Sequence, residues 1–374
     1  MKLAARLAIL KTTAPAILAV LSSLSLNAGV IENRVTVRGE DILLNGEVTK
    51  IVGLRCSNAL VSDAATSGLI GALDTFRSYG VNTVSVFVMG SRFGDVKGYR
   101  PDATLDPVYR DRLRRILEAT RRKRMIAIVG CLYWGTSRAS ADLPDWTQAD
   151  ANRAVANTAR WLRENGFHHV ILDPDNEGMA MKKVKWEPEQ LIAAAKEEFP
   201  ELVVANNTSK NTPNEDLNMH FGEPEAGKPW FDSESTPKDV PNVEDPQPDK
   251  PLSGSYWTAY SRGTHEARAS YWNYSRIGRY TAEMKASQIA LTRELMDDHN
   301  GIVLASTWLQ CAPGEGVGGP FSVAGGHSDL GSGADLLAPW NADIDTLHPD
   351  AGILWWLEFV RDNYVKRSLL RAAE

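Results

Sequence analysis

Short runs of β-branched and apolar residues recur along this chain, and most are followed by a stretch with helical spacing. Lys50-Ile51-Val52-Gly53-Leu54 is the first such run of the series, and Leu69 to Tyr79 follows it with Leu69, Leu73 and Phe76 on one face. Gly80 stops that helix, and Val81 to Val88 forms the next strand. Asp106 can cap a second helix, with Pro107 at its first position and Leu113, Ile116 and Leu117 as its apolar stripe. Met125 to Leu132, Val170 to Leu172 and Leu202 to Ala205 read as further strands, separated by helices over Ala149–Asn165 and Pro188–Phe199. Strands spaced by helices in this way predict a parallel sheet.

The rhythm shortens in the second half. Leu217–Phe221 and Trp230–Phe231 are candidate strands six and seven, with little helix on either side of strand six. A Pro-rich acidic loop runs from about Ser235 to Ser253, residues 264–298 read as helical, and Gly301–Thr307 is an eighth strand. A Gly-rich loop over 312–333 and a closing helix over Ala351–Val365 complete the chain. Eight strands favour an α/β fold closed into a (β/α)8 TIM barrel over an open doubly wound sheet. An N-terminal β-hairpin precedes it, with strands at Val35–Val37 and Ile42–Leu44 and a turn signal at Asn45-Gly46. The expected barrel therefore has trimmed helices around strands 5 and 6. No phosphate-cradling glycine loop follows any strand, which argues against nucleotide binding.

The first 28 residues stand apart. Lys2, Arg6 and Lys11 precede an apolar run from Ala14 to Leu26 and then Asn27-Ala28-Gly29. This pattern is that of a secretory signal peptide, with an N-terminal membrane anchor as the alternative. Residues 29–374 would then be one catalytic domain, secreted or periplasmic, without a further membrane span. Loss of the three positive charges in 1–28 takes the formal charge from −6 to −9, a poor match to nucleic acid. Arg121-Arg122-Lys123-Arg124 is the solvated end of a helix. Cys56, Cys131 and Cys311 match no zinc spacing, and the first two fall at strand ends as small buried residues.

The fourth strand runs into Asp173-Pro174-Asp175-Asn176-Glu177-Gly178. The C-terminal ends of barrel strands are where such folds keep their chemistry. Glycoside hydrolysis needs two carboxyl groups there, one giving a proton to the leaving oxygen and one attacking the anomeric carbon or activating water. Glu177 is the candidate acid. Glu234, at the end of Lys228-Pro229-Trp230-Phe231-Asp232-Ser233-Glu234, is the candidate second carboxylate, with Asp232, Glu223, Glu225 and Glu315 as competitors. The competing reading of the first cluster is a solvated loop, or a hard-cation site on Asp173, Asp175 and Glu177. Tyr133, Trp134 and Trp308 lie at strand ends where sugar faces could stack, although a tryptophan is more often core than ligand platform. Trp257 and Trp272 flank the loop after strand seven. His220 could hydrogen-bond the nucleophile or the sugar, and Arg55 could hold the nucleophile ionised. A backbone-satisfied histidine and a structural ion pair are the alternatives for these two.

These residues together resemble the clan of retaining glycoside hydrolases with a (β/α)8 barrel, the cellulase-like and β-galactosidase-like enzymes. Ile42-Leu43-Leu44-Asn45-Gly46-Glu47-Val48 followed by Val52-Gly53-Leu54-Arg55 is similar to the clan's entry hairpin and first strand. Gly80-Val81-Asn82-Thr83-Val84 resembles its second strand, and Asn176-Glu177 its Asn-Glu at the end of strand four. The resemblance extends loosely over residues 40–365. It implies that Glu177 is the acid/base, that Asn176 binds the hydroxyl beside the anomeric carbon, and that Glu234 is the nucleophile. It also implies a carbohydrate substrate, no cofactor, and a cleft tryptophan at Trp308. Two positions depart from the pattern: His220-Phe221-Gly222 stands where His-x-Tyr is common, and Ser85 where arginine is frequent. They mark an outlying member and leave open a barrel that binds carbohydrate without cleaving it, or a metal-dependent barrel enzyme.

Overall fold

The computed structural model describes residues 33–57, 59–90, 96–135, 137–235, 282–305 and 353–365. The expected signal peptide, Cys311, Glu315, Trp257, Trp272, Trp308 and the expected Gly-rich loop lie outside the described residues.

Eight parallel strands close into a barrel in sequence order. They are β4 (Ile51–Arg55), β5 (Thr83–Phe87), β6 (Ile126–Leu132), β7 (Val170–Asp175), β8 (Val203–Asn206), β9 (Leu217–Met219), β10 (Trp230–Ser235) and β11 (Gly301–Leu304). Closure is made by β11 on β4, with Gly301 opposite Ile51 and Leu304 opposite Leu54. Before the barrel, β1 (Val35–Arg38), β2 (Asp41–Leu44) and β3 (Glu47–Val48) form a small antiparallel sheet. Asn45-Gly46 turns β2 into β3, so the expected hairpin is a three-stranded meander.

The helices follow the strands where the sequence has length for them. They are α1 (Asp63–Ser78), α2 (Pro107–Arg122), α3 (Gln148–Glu164), α4 (Met179–Val184), α5 (Pro188–Glu198), α6 (Ala282–Asp298) and α7 (Leu354–Val360). Local chemistry sets their starts. The Asp106 side chain accepts from the Val108 N–H with Pro107 in the first turn. Thr147 and Asp150 make a reciprocal capping box on α3. α1 starts six residues before the apolar stripe, because the Ser62 hydroxyl caps it through the Ala65 N–H. No helix connects β8 to β9 or β9 to β10, as the shortened rhythm predicts.

Two apolar layers fix the barrel. Ile51, Ile126, Ile128, Ile171, Val203, Leu217, Phe231 and Val303 pack inside it, together with Val35 and Ile42 of the small sheet. Ile51, Ile126 and Val203 are the first residues of their strands, so the small sheet plugs the N-terminal mouth. The Val35 N–H donates to the His168 carbonyl at 2.9 Å, just ahead of β7. The C-terminal mouth is left for polar side chains. The second layer, between strands and helices, includes Leu69, Leu73 and Phe76 of α1 and Leu113, Ile116 and Leu117 of α2. Cys56 and Cys131 are buried free thiols.

His169, just before β7, is buried with Nε2 3.0 Å from Thr120 Oγ1 on α2. Burial, with Arg121 adding, lowers its pKa to about 3. The unfolded chain takes up that proton near the ordinary histidine value of about 6.5. The stability contribution is therefore complete above about 6.5 and lost as the pH falls toward 3. Between pH 6 and 4 this group should remove on the order of 1.4 kcal/mol per pH unit. Urea unfolding of wild type and His169→Gln across that range should show a shallower acid slope in the variant. Parallel slopes would exclude His169 as a cause.

Candidate active site

Because all eight strands run parallel, their C-terminal ends share one face, and the polar residues gather there. Arg55 ends β4 and is the hub. Its buried guanidinium lies 3.0 Å from Glu234 Oε2 on β10. Nη2 donates to Asn176 Oδ1 at 2.7 Å and Nη1 to the Ser233 carbonyl at 3.3 Å. Burial alone would lower the Arg55 pKa, but Glu234 foremost, with Tyr133, Glu177 and Asp173, holds it above the usual arginine range. The guanidinium also stacks on the Phe87 ring, 4.8 Å from its centroid. That ring occupies the space beside Gly130 of β6, where a Cβ would lie 2.0 Å from Phe87 Cδ1.

The strand-four cluster divides by its bonds. Both Asp175 oxygens accept from backbone, the Ala180 N–H at 2.8 Å and the Met181 N–H at 3.0 Å, which caps α4. Burial pushes Asp175 up to about 7 against those bonds. Asp173 is buried and pushed up to about 6, with Oδ2 accepting from Asn207 Nδ2 at 3.0 Å. Asn207 Nδ2 also reaches Asn176 Oδ1 at 3.4 Å. With Arg55 and Asn207 both donating to Oδ1, Asn176 turns its amide nitrogen to Glu177 Oε1, 3.4 Å away. Glu177 itself has a left-handed backbone, φ 54° and ψ 21°, followed by Gly178 at φ 60°. A non-glycine residue there costs on the order of 1 kcal/mol.

His220 follows β9, also with a positive φ of 52°, and its Nδ1 is 2.8 Å from Asp232 Oδ1. Burial would lower its pKa, but the bond to Asp232 and that carboxylate's charge, with Glu177 and Glu234, raise it. Asp232 Oδ1 also accepts from the Glu234 N–H at 3.0 Å.

Glu234 is largely buried, its side chain 16% exposed. Burial pushes it up to about 7; Arg55 opposes and Glu177, which hydrogen-bonds it, adds. Two carboxyls this close titrate as a pair. The Arg55 contact favours the charged form of Glu234.

Glu177, His220 and Glu234 each offer one ligand-capable atom within 4.8 Å of the others, so this trio could hold a divalent cation. It differs from the Asp173, Asp175 and Glu177 set, in which both Asp175 oxygens are held by amides. Arg55, next to Glu234, opposes a cation.

The aromatic residues divide as well. Tyr133 lies at the cleft, edge-on to Phe87 at 5.7 Å and close enough to raise Arg55. Trp134 is only 6% exposed, stacked on Trp146 at 5.8 Å and against Trp186 at 4.4 Å. Two residues that bind the cluster together were not singled out in these roles from sequence: Asn207 and Asp232. The polar triple Asn206-Asn207-Thr208 directly after strand five was a usable signal for the first.

No protein-family model matches the chain, and no curated protein matches it. Solved structures do. A glycoside hydrolase family 5 mannosidase from Rhizomucor miehei superposes with a TM-score of 0.50 at 10% identity, over 90% of this chain and 99% of that one. A glycoside hydrolase family 5 structure from Bacteroides vulgatus gives 0.47 at 13% identity, over 77% of this chain and 66% of that one. In fold, the chain is a (β/α)8 barrel similar to the Rhizomucor miehei family 5 glycoside hydrolase, and distant from it in sequence.

Proposed function

We propose that this protein is a secreted retaining β-glycoside hydrolase acting on an oligo- or polysaccharide. The observation that carries the reading is the approach of Glu177 and Glu234 oxygens to within 4.8 Å at the C-terminal mouth of a closed barrel. Carboxyl groups about 5–5.5 Å apart suit double displacement, whereas inversion needs roughly 6.5–9.5 Å to admit water. In the first step Glu234 attacks the anomeric carbon while Glu177 gives its proton to the departing oxygen. In the second, Glu177 takes a proton from water, which displaces Glu234. Arg55 favours the ionised form of Glu234 that attacks, and the fixed Asn176 amide presents a donor to a sugar hydroxyl. Export rests on the basic-then-apolar N-terminus.

The test is hydrolysis of a glycan panel by the purified protein, β-mannosides, β-glucosides and β-xylosides included, with NMR of the first-formed anomer. Retention of configuration supports double displacement; inversion removes Glu234 as nucleophile. Glu177→Ala should slow cleavage of unactivated glycosides by about 10²–10⁴-fold. Its effect on a 2,4-dinitrophenyl glycoside, whose leaving group needs no proton, should be far smaller at the first step. Equal losses on both substrates would take the acid role away from Glu177. The Glu177–His220–Glu234 trio keeps a metal-dependent reading in view, and full activity after exhaustive chelation removes it. Absence of turnover alongside glycan binding would favour a carbohydrate-binding barrel.

A further inference from the structure

The end of β10 is irregular. Asp232 pairs with Ile302 and Ser235 with Leu304, so β10 advances three residues while β11 advances two. One residue is extra, the signature of a bulge, and bulges re-aim side chains beside active sites. Glu234 lies within this stretch. A bulge gives up ladder hydrogen bonds, so its shape must be fixed by something else. Here the Asp232 side chain does so, by accepting the Glu234 N–H two residues on at 3.0 Å. The same oxygen, Oδ1, lies 2.8 Å from His220 Nδ1. Asp232 is buried beneath the site, its side chain 3% exposed, and is placed to hold neighbours rather than to meet a sugar.

We infer that Asp232 is a positioning residue, whose single carboxylate oxygen both clamps the bulge that aims Glu234 and fixes His220 against the two glutamates. The inference rests on the glycosidase reading for its catalytic meaning, but not for its geometry. Nδ1 of His220 is committed to Asp232, which leaves Nε2 for the cleft. The charged groups facing His220 are Asp232 and Glu234 from β10 and Glu177 from the turn after β7. Arg55 of β4 lies beyond Glu234, and Lys182 of α4 sits 4.2 Å over the adjoining Phe221 ring. Three carboxyls thus surround one imidazole, and Asp232 makes the direct bond. The bond also explains why Asp232, a sequence-level competitor for the nucleophile, does not fill that role: its Oδ1 already accepts two donors from the protein.

The test uses the full chain and has two independent readouts. In the first, the His220 imidazole is titrated by NMR without any glycan. Wild type should titrate above about 6.5, and Asp232→Asn should lower the midpoint by about one unit or more. Asn keeps an acceptor for the Glu234 N–H and differs little in size, so this variant separates charge from clamp. The second readout is turnover of a 2,4-dinitrophenyl glycoside that wild type cleaves. Asp232→Asn should lower kcat about 10-fold and Asp232→Ala about 10²-fold, with KM within about 3-fold, as for a misaimed group. Sodium azide should restore turnover to Glu234→Ala and to neither Asp232 variant. An unmoved His220 titration in Asp232→Asn, or azide rescue of Asp232→Ala, overturns the inference. If wild type cleaves no glycoside, the glycosidase reading fails while a lowered His220 midpoint still supports the hold of Asp232 on His220. If Asp232→Ala does not fold, the Asn variant still decides both readouts.

Discussion

Glu234→Ala is expected to lose about 10⁴–10⁶-fold in turnover, the scale on which removal of a nucleophile acts. Folding should be retained at a cost in stability, because the buried Arg55 loses its ion-pair partner. Burial already makes the Glu234 charge costly, and Arg55 keeps Asn176 Oδ1, the Ser233 carbonyl and the Phe87 ring as partners. The variant opens a space facing the anomeric carbon. A small anion such as azide can enter there and attack from the same side as the missing carboxylate, giving a glycosyl azide of inverted configuration. Rescue with inverted product would identify the residue and the face of attack together. Full activity of the variant without azide would remove Glu234 from the mechanism.

Arg55→Met should be the most damaging substitution for stability. Removing one partner from a buried ion pair commonly costs about 3–5 kcal/mol, because the remaining charge is left uncompensated. The loss should depend on pH. Glu234 already has a folded pKa raised to about 7 with Arg55 opposing the rise; without Arg55 it goes higher. A carboxyl whose folded pKa exceeds its unfolded value binds more protons when folded, so stability falls as pH rises from the unfolded value toward the folded one. The variant should therefore be closer to wild type at pH 5 than at pH 8 in denaturant unfolding. Any residual activity should show its acid limb displaced to higher pH, since the pair releases its proton later. A pH-independent deficit would mean that Arg55 acts through packing on Phe87 rather than through charge.

Much of this arrangement was legible because the information is local. β-branched runs at Val81–Val88 and Met125–Leu132 and the cap at Asp106 carry their own signals, and each strand found its expected place in the barrel. The order of strands then put Arg55, Asn176, His220 and Glu234 on one face. What was not legible is pairwise and distant. The Asp232–His220 bond joins β10 to the residue just after β9, and the Asn207–Asp173 bond spans 34 positions. The six-residue helix α4 is too short for an apolar period, and exists because Asp175 supplies its first amides with acceptors. The bulge in β10 is a relation between two strands, and no single stretch of sequence contains it.

The contact between Gly130 and Phe87 has a consequence for how such a barrel can vary. The ring fits only because β6 lacks one carbon atom at that point, and the guanidinium rests on the ring. The level at which the positive charge stands below the cleft is therefore set by a missing side chain in the wall four strands from the nucleophile's, on the far side of the barrel. Wall, ring and charge form one stack, so a change in girth at position 130 is felt as a change in electrostatics at Glu234.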